Sequence, residues 1–314
     1  MTLPSPVTAS AERADPVAAI ADFARGFSLE ATRPSAEEVA ALSAILPAGT
    51  RVYVSAVPRR PAQEALDAAI RLRRAGFEPV PHLAVRNFAT ARELDAFLAR
   101  ASGEAAVRRV LVIAGDRDRP AGDFHSAVEV IDGGALQRHG IVEIGIAGYP
   151  DGHPRIPQLD LERALADKLR AAETTGTAVH IVTQFCFDAQ AIVTWLVRLR
   201  DFGIEHPVRI GLAGPTNLAT LLRYAQRCGV RASAQGLARQ AGLLRQLFAM
   251  SAPDALIRAL AQARAERHLG EIAPHFFSFG GSAPTARWVE AVAQGRIALE
   301  GGEGFRVEPP RADP

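Results

Sequence analysis

Short apolar runs and amphipathic stretches take turns along almost the whole chain, and that alternation limits the folds open to it. The apolar runs are Phe27–Ala31, Arg51–Ser55, Glu78–Leu83, Arg109–Ala114, Val142–Ala147, Ala178–Thr183, Val208–Ala213 and Pro274–Phe279. Most are rich in Val, Ile, Leu and Ala, the style of strands covered on both faces. Helical patterns lie between them. Ser35–Leu46 opens on Ser35-Ala36-Glu37-Glu38, a capping box, and Pro61–Ala75 starts on proline and stops at Gly76. Ala91–Ala101, Gly122–Leu136, Leu159–Glu173, Ala189–Phe202, Asn217–Cys228, Ala252–His268 and Pro284–Gln294 complete the series. Such a repeat predicts a single-domain α/β (βα)8 TIM barrel. A doubly wound sheet would share the alternation, but it usually carries a Gly-rich turn after its first strand. Here that turn reads Glu30-Ala31-Thr32-Arg33-Pro34.

Three segments fall outside the repeat. A helix over Asp15–Arg25 is expected to cover the N-terminal end of the barrel. Residues 230–251 read as an extra helical insertion between the seventh and eighth strands. Residues 1–12 and 304–314 read as disordered tails flanking a barrel domain over 13–303.

Composition narrows the function classes. At 314 residues and 48% apolar, the chain can bury a large core. The formal net charge is only +2, with no basic run interleaved with aromatics, which argues against a nucleic-acid partner. No apolar stretch is long enough to span a membrane. The N-terminus lacks the pattern of a secretory signal, and the two cysteines, Cys186 and Cys228, make no disulfide framework. A cytoplasmic location is the expectation. The oligomeric state stays open, a homo-oligomer included. Lys168 is the only lysine among many arginines.

A barrel of this kind builds its site at the C-terminal ends of its strands. In chain order those ends bring Glu30, Ser55, His82, Asp116 after Gly115, Tyr149 with His153, and Gln184, followed by Thr216 and Asn217. Two carboxylates, two histidines and an amide would then face one mouth. Each has a blander reading: Glu30 as a solvated strand end, Asp116 as part of a charged loop, His82 as a hydrogen-bonded core histidine, His153 as a turn stabiliser, Gln184 as a backbone cap. Glu30 sits beside an apolar run, where a carboxylate is costly, and that favours a role in function. His180 lies early in its strand and is discounted. No His-x-x-x-His or Cys-x-x-Cys spacing occurs, so no metal motif is expected. A metal-dependent lyase or hydrolase would have to use Glu30, His82, Asp116 and His153 as ligands.

The runs Gly148-Tyr149-Pro150-Asp151-Gly152-His153-Pro154 and Val182-Thr183-Gln184-Phe185-Cys186-Phe187-Asp188 resemble motifs of the methylenetetrahydrofolate reductase family. The resemblance runs from about residue 27 to residue 295. It implies a flavoprotein that passes hydride from NADH or NADPH through FAD to methylenetetrahydrofolate, in one-carbon metabolism and methionine biosynthesis. Ser28-Leu29-Glu30 resembles the family's Ser-Phe-Glu, which makes Glu30 the general acid, a carboxyl expected to have a raised pKa. Asp116 is implied beside flavin and pterin, and Gln184 on the pterin or nicotinamide. Ser55, His82, Gly115, Tyr149, His153 and Lys168 are implied in flavin binding, with Tyr224 stacking near the substrates. Asp160 is one residue out of register with the family's adenosine-binding acid.

The departures from the family are specific. Ser55-Ala56-Val57-Pro58-Arg59-Arg60 replaces a Thr-Tyr-Gly loop, Ala114 replaces the arginine of Arg-Gly-Asp, and Phe279-Gly280-Gly281-Ser282 replaces Leu-Asn-Arg. They suggest a divergent member, with oxidation of 5-methyltetrahydrofolate in one-carbon catabolism as an alternative direction. A folate- or flavin-binding barrel without its own redox chemistry is a further alternative.

Overall fold

The computed structural model describes residues 15–57, 60–228 and 250–309. Eight parallel strands close into a barrel, and the first pairs with both the second and the last. In chain order they are β1 Ser28–Ala31, β2 Arg51–Val54, β3 Glu78–Ala84, β4 Arg109–Ile113, β5 Glu143–Gly148, β6 Ala178–Thr183, β7 Val208–Ala213 and, after two short strands named below, β10 Ile272–Phe277. The expected barrel is the observed fold.

Alternation along each strand sorts side chains to two faces. Leu29, Val52, Val54, Leu83, Val110, Val112, Ile144, Ile146, Ile181, Ile210, Leu212 and Phe276 pack outward against the helices in one continuous core. Burying each such side chain is worth roughly 1.5–3 kcal/mol. Inward, Tyr53, Val80, Leu111 and Val182 form a small apolar plug. Below and above this plug the barrel interior is polar.

The helices end where chemistry says they should. Ser35 caps Ala36–Ser43 through a complete capping box with Glu38. Ala62–Arg74 is followed by Gly76 at a φ of 87°. Asp188 caps Ala189–Asp201 by accepting from the backbone of Gln190 and Ala191. The N-terminal helix, Pro16–Arg25, packs beside β10 and two later helices, with Asp22 3.0 Å from Arg264 at the end of Asp254–Glu266.

Several expectations need correction. The helix expected over Gly122–Leu136 is two short helices, Ala127–Asp132 and Ala135–Arg138. Gly133-Gly134 breaks it, with Gly134 at a φ of 72°. The last barrel strand begins at Ile272, two residues before Pro274. The tail expected from 304 onward is ordered at its start. β11 Ile297–Glu300 and β12 Gly304–Val307 form an antiparallel hairpin, and Phe305 is buried against Trp288. Between β7 and β10, the short strands β8 Thr216–Asn217 and β9 Met250–Ser251 pair antiparallel. Most of the insertion expected over 230–251 lies outside the described residues, as do the tail expected over 1–12 and residues 310–314.

Candidate active site

Glu30 is the penultimate residue of β1 and points into the barrel at its C-terminal mouth. Its Oε1 accepts a 2.6 Å hydrogen bond from Ser55 Oγ, which also lies 3.1 Å from Thr32 Oγ1. Its Oε2 lies 3.4 Å from His275 Nε2 and 3.5 Å from His82 Nε2. Burial pushes this carboxyl up, but the charge that His82 takes on in acid and hydrogen bonds from His275 and Ser55 outweigh it and hold the pKa down at about 2. The raised value expected of a resting general acid is therefore corrected: in the free protein Glu30 is a carboxylate. Burial lowers both His82 and His275, so both imidazoles are neutral near pH 7.

The structure links Ser55 and His82 to Glu30 directly, whereas the resemblance implied contacts with flavin. It also adds His275, which the sequence reading missed. Tyr53, another missed residue, sits beneath the group. Its ring centroid is 4.6 Å from that of His275, 6.3 Å from His82 and 6.2 Å from His180. A signal for His275 existed. Pro274-His275-Phe276 has the same form as Pro81-His82-Leu83, a proline-histidine step inside a strand.

Asp116, Tyr149 and His153 form a second group, on the β4–β5 side of the mouth. Tyr149 and His153 meet edge to face at 5.5 Å. Burial and then the Asp116 charge raise Tyr149. Burial and then Arg155 lower His153, against the pull of Asp116. Gly115, at a φ of 90°, lets the chain turn against Ala84, where a Cβ would come within 2.9 Å. Arg86 braces this loop through the carbonyls of Arg117 and His125.

Gln184 lies past β6. Its Oε1 accepts from Phe185 N–H at 3.1 Å, and its own N–H donates to Gly148 at 2.9 Å. Beside it runs a set of aromatic rings. Tyr224 stacks on Phe279 at 4.1 Å, Phe279 stacks on Phe277 at 5.7 Å, and Phe185 meets both phenylalanines edge-on. Phe277 pairs in register with Glu30, so this ladder borders the carboxylate. Glu30 on β1, Asp116 past β4 and Gln184 past β6 share one rim but make no hydrogen bond or ion pair with one another.

Two positions bear on cofactor and substrate binding. Lys168 is buried on helix Gln158–Thr174, and its Nζ lies 3.5 Å from Ala147 O. Burial pushes it down to about 8, and among the described residues no carboxylate pairs with it. A buried cation left in that state suits an incoming anion such as a phosphate. At Gly280 a Cβ would overlap Pro215 O, and at Gly214 one would come within 2.6 Å of Thr285 Oγ1. That close approach leaves Gly280 no room for a side chain in the run that replaces the family's Leu-Asn-Arg. Outside the barrel an open groove of about 770 Å³ runs past His153, Arg155, Asp188, Trp195 and Arg198. No group of three or more metal-ligating side chains occurs among the described residues.

A family model described as methylenetetrahydrofolate reductase matches residues 37–267. Methylenetetrahydrofolate reductase 2 of Saccharomyces cerevisiae is 27% identical over 158 residues, 48% of this chain and 26% of that protein. The 5,10-methylenetetrahydrofolate reductase of Pectobacterium carotovorum subsp. carotovorum is 26% identical over 161 residues, 50% of this chain and 51% of that one. The match thus spans about half, or less, of these relatives' own length. A similar solved structure is an uncharacterized protein from Clostridium thermocellum that binds two copies of 5-methyl-5,6,7,8-tetrahydrofolic acid. It has a TM-score of 0.58 and 12% identity, and the match covers 87% of this chain and 95% of that one.

Proposed function

The chain belongs to the methylenetetrahydrofolate reductase family, and from that premise we propose that it interconverts 5,10-methylenetetrahydrofolate and 5-methyltetrahydrofolate. The observation that carries this reading is the Glu30 carboxylate at the mouth, gripped by Ser55, His82 and His275. Folate chemistry here is a hydride step plus a proton step at N10, and a carboxylate at the site suits the second.

In the oxidative direction, hydride leaves the N5 methyl group and the resulting iminium carbon is attacked by N10. Glu30 accepts the proton that N10 releases, which closes the five-membered ring. In the reductive direction the same carboxyl must first take up a proton and then return it to N10. Glu30 is ionised in the free protein, so it starts in the acceptor state that the oxidative direction needs. Asp116 and Gln184 offer an acceptor and an amide to the pterin edge, and Tyr224 with Phe279 offers a stacking face.

Bound FAD would supply the two-electron link between the folate carbon and NADH or NADPH. Lys168 is suited to its phosphate, and Tyr149, His153 and Gly115 to its neighbourhood. A cytoplasmic setting and a reduced-folate partner belong to the same proposal. A second reading is a folate-binding barrel without redox chemistry of its own. The loss of the family's arginine, whose place in this run falls on Gly281, favours it.

The deciding experiment is an anaerobic titration followed in the visible. A flavin spectrum that bleaches with 5-methyltetrahydrofolate or NADH, and returns with methylenetetrahydrofolate, is expected. Tight folate binding by a colourless protein that added FAD does not restore would replace the first reading with the second.

A further inference from the structure

Behind Glu30 a line of buried polar groups runs down the barrel interior. Arg209 Nη1 on β7 donates to Ser28 Oγ and to Gly26 O, both at 3.2 Å. Ser28 Oγ lies 2.9 Å from His275 Nδ1, and the far ring nitrogen, Nε2, reaches Glu30 Oε2. Ser28 and His275 are opposed across the β1–β10 ladder, and both are fully buried.

The carboxylate fixes where the protons are. An ionised Glu30 only accepts, so the hydrogen bond at Oε2 needs the proton of the neutral ring on Nε2. Nδ1 is then an acceptor for the Ser28 hydroxyl, whose oxygen in turn accepts from Arg209. Burial outweighs the pull of the Glu30 carboxylate and, with the nearby Arg209 charge, disfavours an imidazolium. His82 faces the same Oε2 but makes no well-aligned hydrogen bond with it, so the oriented nitrogen donor is His275. The other groups against this ring are Tyr53 and Phe277.

We propose that His275, locked in one tautomer by Ser28 and Arg209, is the positioning residue for Glu30. It presents a single donor to Oε2 and leaves Glu30, rather than the imidazole, as the group that changes protonation during turnover. The relay rests on the reading of Glu30 as the proton-transfer carboxylate and assigns a purpose to Ser28, His275 and Arg209.

The test uses the whole protein with labelled histidine and glutamate, and the variants Ser28→Ala, His275→Gln and His275→Leu. Nitrogen NMR of the wild type is expected to show His275 protonated at Nε2 only, and Ser28→Ala is expected to blur that preference. His275→Leu is expected to move the Glu30 carboxyl midpoint up by about one pH unit or more. His275→Gln, whose amide can donate in place of Nε2, restores most of it. In turnover, His275→Leu is expected to lower kcat about tenfold, to change the folate KM less, and to raise the acid limb of the pH profile. A wild-type ring protonated at Nδ1, or a carboxyl midpoint unmoved in folded His275→Leu, overturns the relay. The tautomer needs no variant, so a misfolded mutant leaves a decisive measurement. Neither NMR readout needs turnover. A protein that never interconverts the folates but shows the stated tautomer and midpoint overturns the functional reading alone.

Discussion

The barrel interior has two polar layers, and they treat their carboxylates in opposite ways. At the lower end Glu143 meets Arg51 at 3.2 Å, Arg109, and His180 at 2.8 Å. Glu78 there meets Arg73 at 2.8 Å and Arg109 at 3.4 Å. His180 passes the network on to Tyr53, whose hydroxyl is 2.6 Å from its Nε2. At the upper end Glu30 has only a hydroxyl and two neutral imidazoles. Permanent guanidinium charge fixes the state of a carboxylate, and that is structure. Neutral, exchangeable partners leave the state open to change when a ligand arrives, and that is chemistry.

The sharpest way to break this contrast is to neutralise one carboxylate in each layer. Glu30→Gln should lower folate turnover by about 10²–10⁴-fold, with bound flavin and melting temperature nearly unchanged. Steady-state kinetics beside a melt measure this. Glu143→Gln should do the reverse. It strips two arginines and a histidine of their counter-charge and should cost about 3 kcal/mol in denaturant unfolding, with kcat per folded molecule preserved. Equal damage to activity from both variants would erase the distinction between the layers.

Acid separates the layers more gently. Burial lowers His82, His180 and His275 below the ordinary histidine value. The unfolded chain therefore takes up protons first, and stability falls as the pH drops through about 6.5. Glu30 and Glu143 are held low in the fold, so their contribution is complete above about 4.5 and disappears as pH falls toward their folded values. Melting temperature against pH should show a shallow decline and then a steep one. A flat profile from pH 7 to 5 would mean that the interior histidines are not buried in neutral form.

The smallest effect belongs to the buried cation Lys168. Lys168 is pushed down to about 8, so a phosphate brought beside it should raise it again. Flavin binding at pH 8–9 should then take up a fraction of a proton, visible as buffer-dependent heat in calorimetry. Lys168→Met should remove that uptake and weaken flavin binding about tenfold, worth about 1.4 kcal/mol.

The outward-facing residues made the fold legible, because Val, Ile and Leu runs such as Arg109–Ile113 announce strands covered on both sides. Much of the candidate site was legible as well, since Glu30, Asp116, Tyr149 and Gln184 follow such runs. His275 was not, for a geometric reason. A strand begun at Pro274 puts it at the closed end, whereas a strand begun at Ile272 sets it opposite Ser28. The charge on Glu30 was hidden because a key partner lies 245 residues away. The hairpin of β11 and β12 was missed because Gly301-Gly302 reads as the start of a tail rather than a turn.

One contact has mechanical weight. Gly280 lies so close to Pro215, and Gly214 N–H donates so directly to Phe277 O at 2.9 Å, that the crossings above β7 and β10 are clipped into one piece. Whatever tugs on Thr216 at the root of the β8–β9 ladder must also drag the Phe279 ring, and with it the face it shares with Tyr224. A guest seated on that face would therefore be felt at the ladder, and a pull on the ladder would loosen the guest.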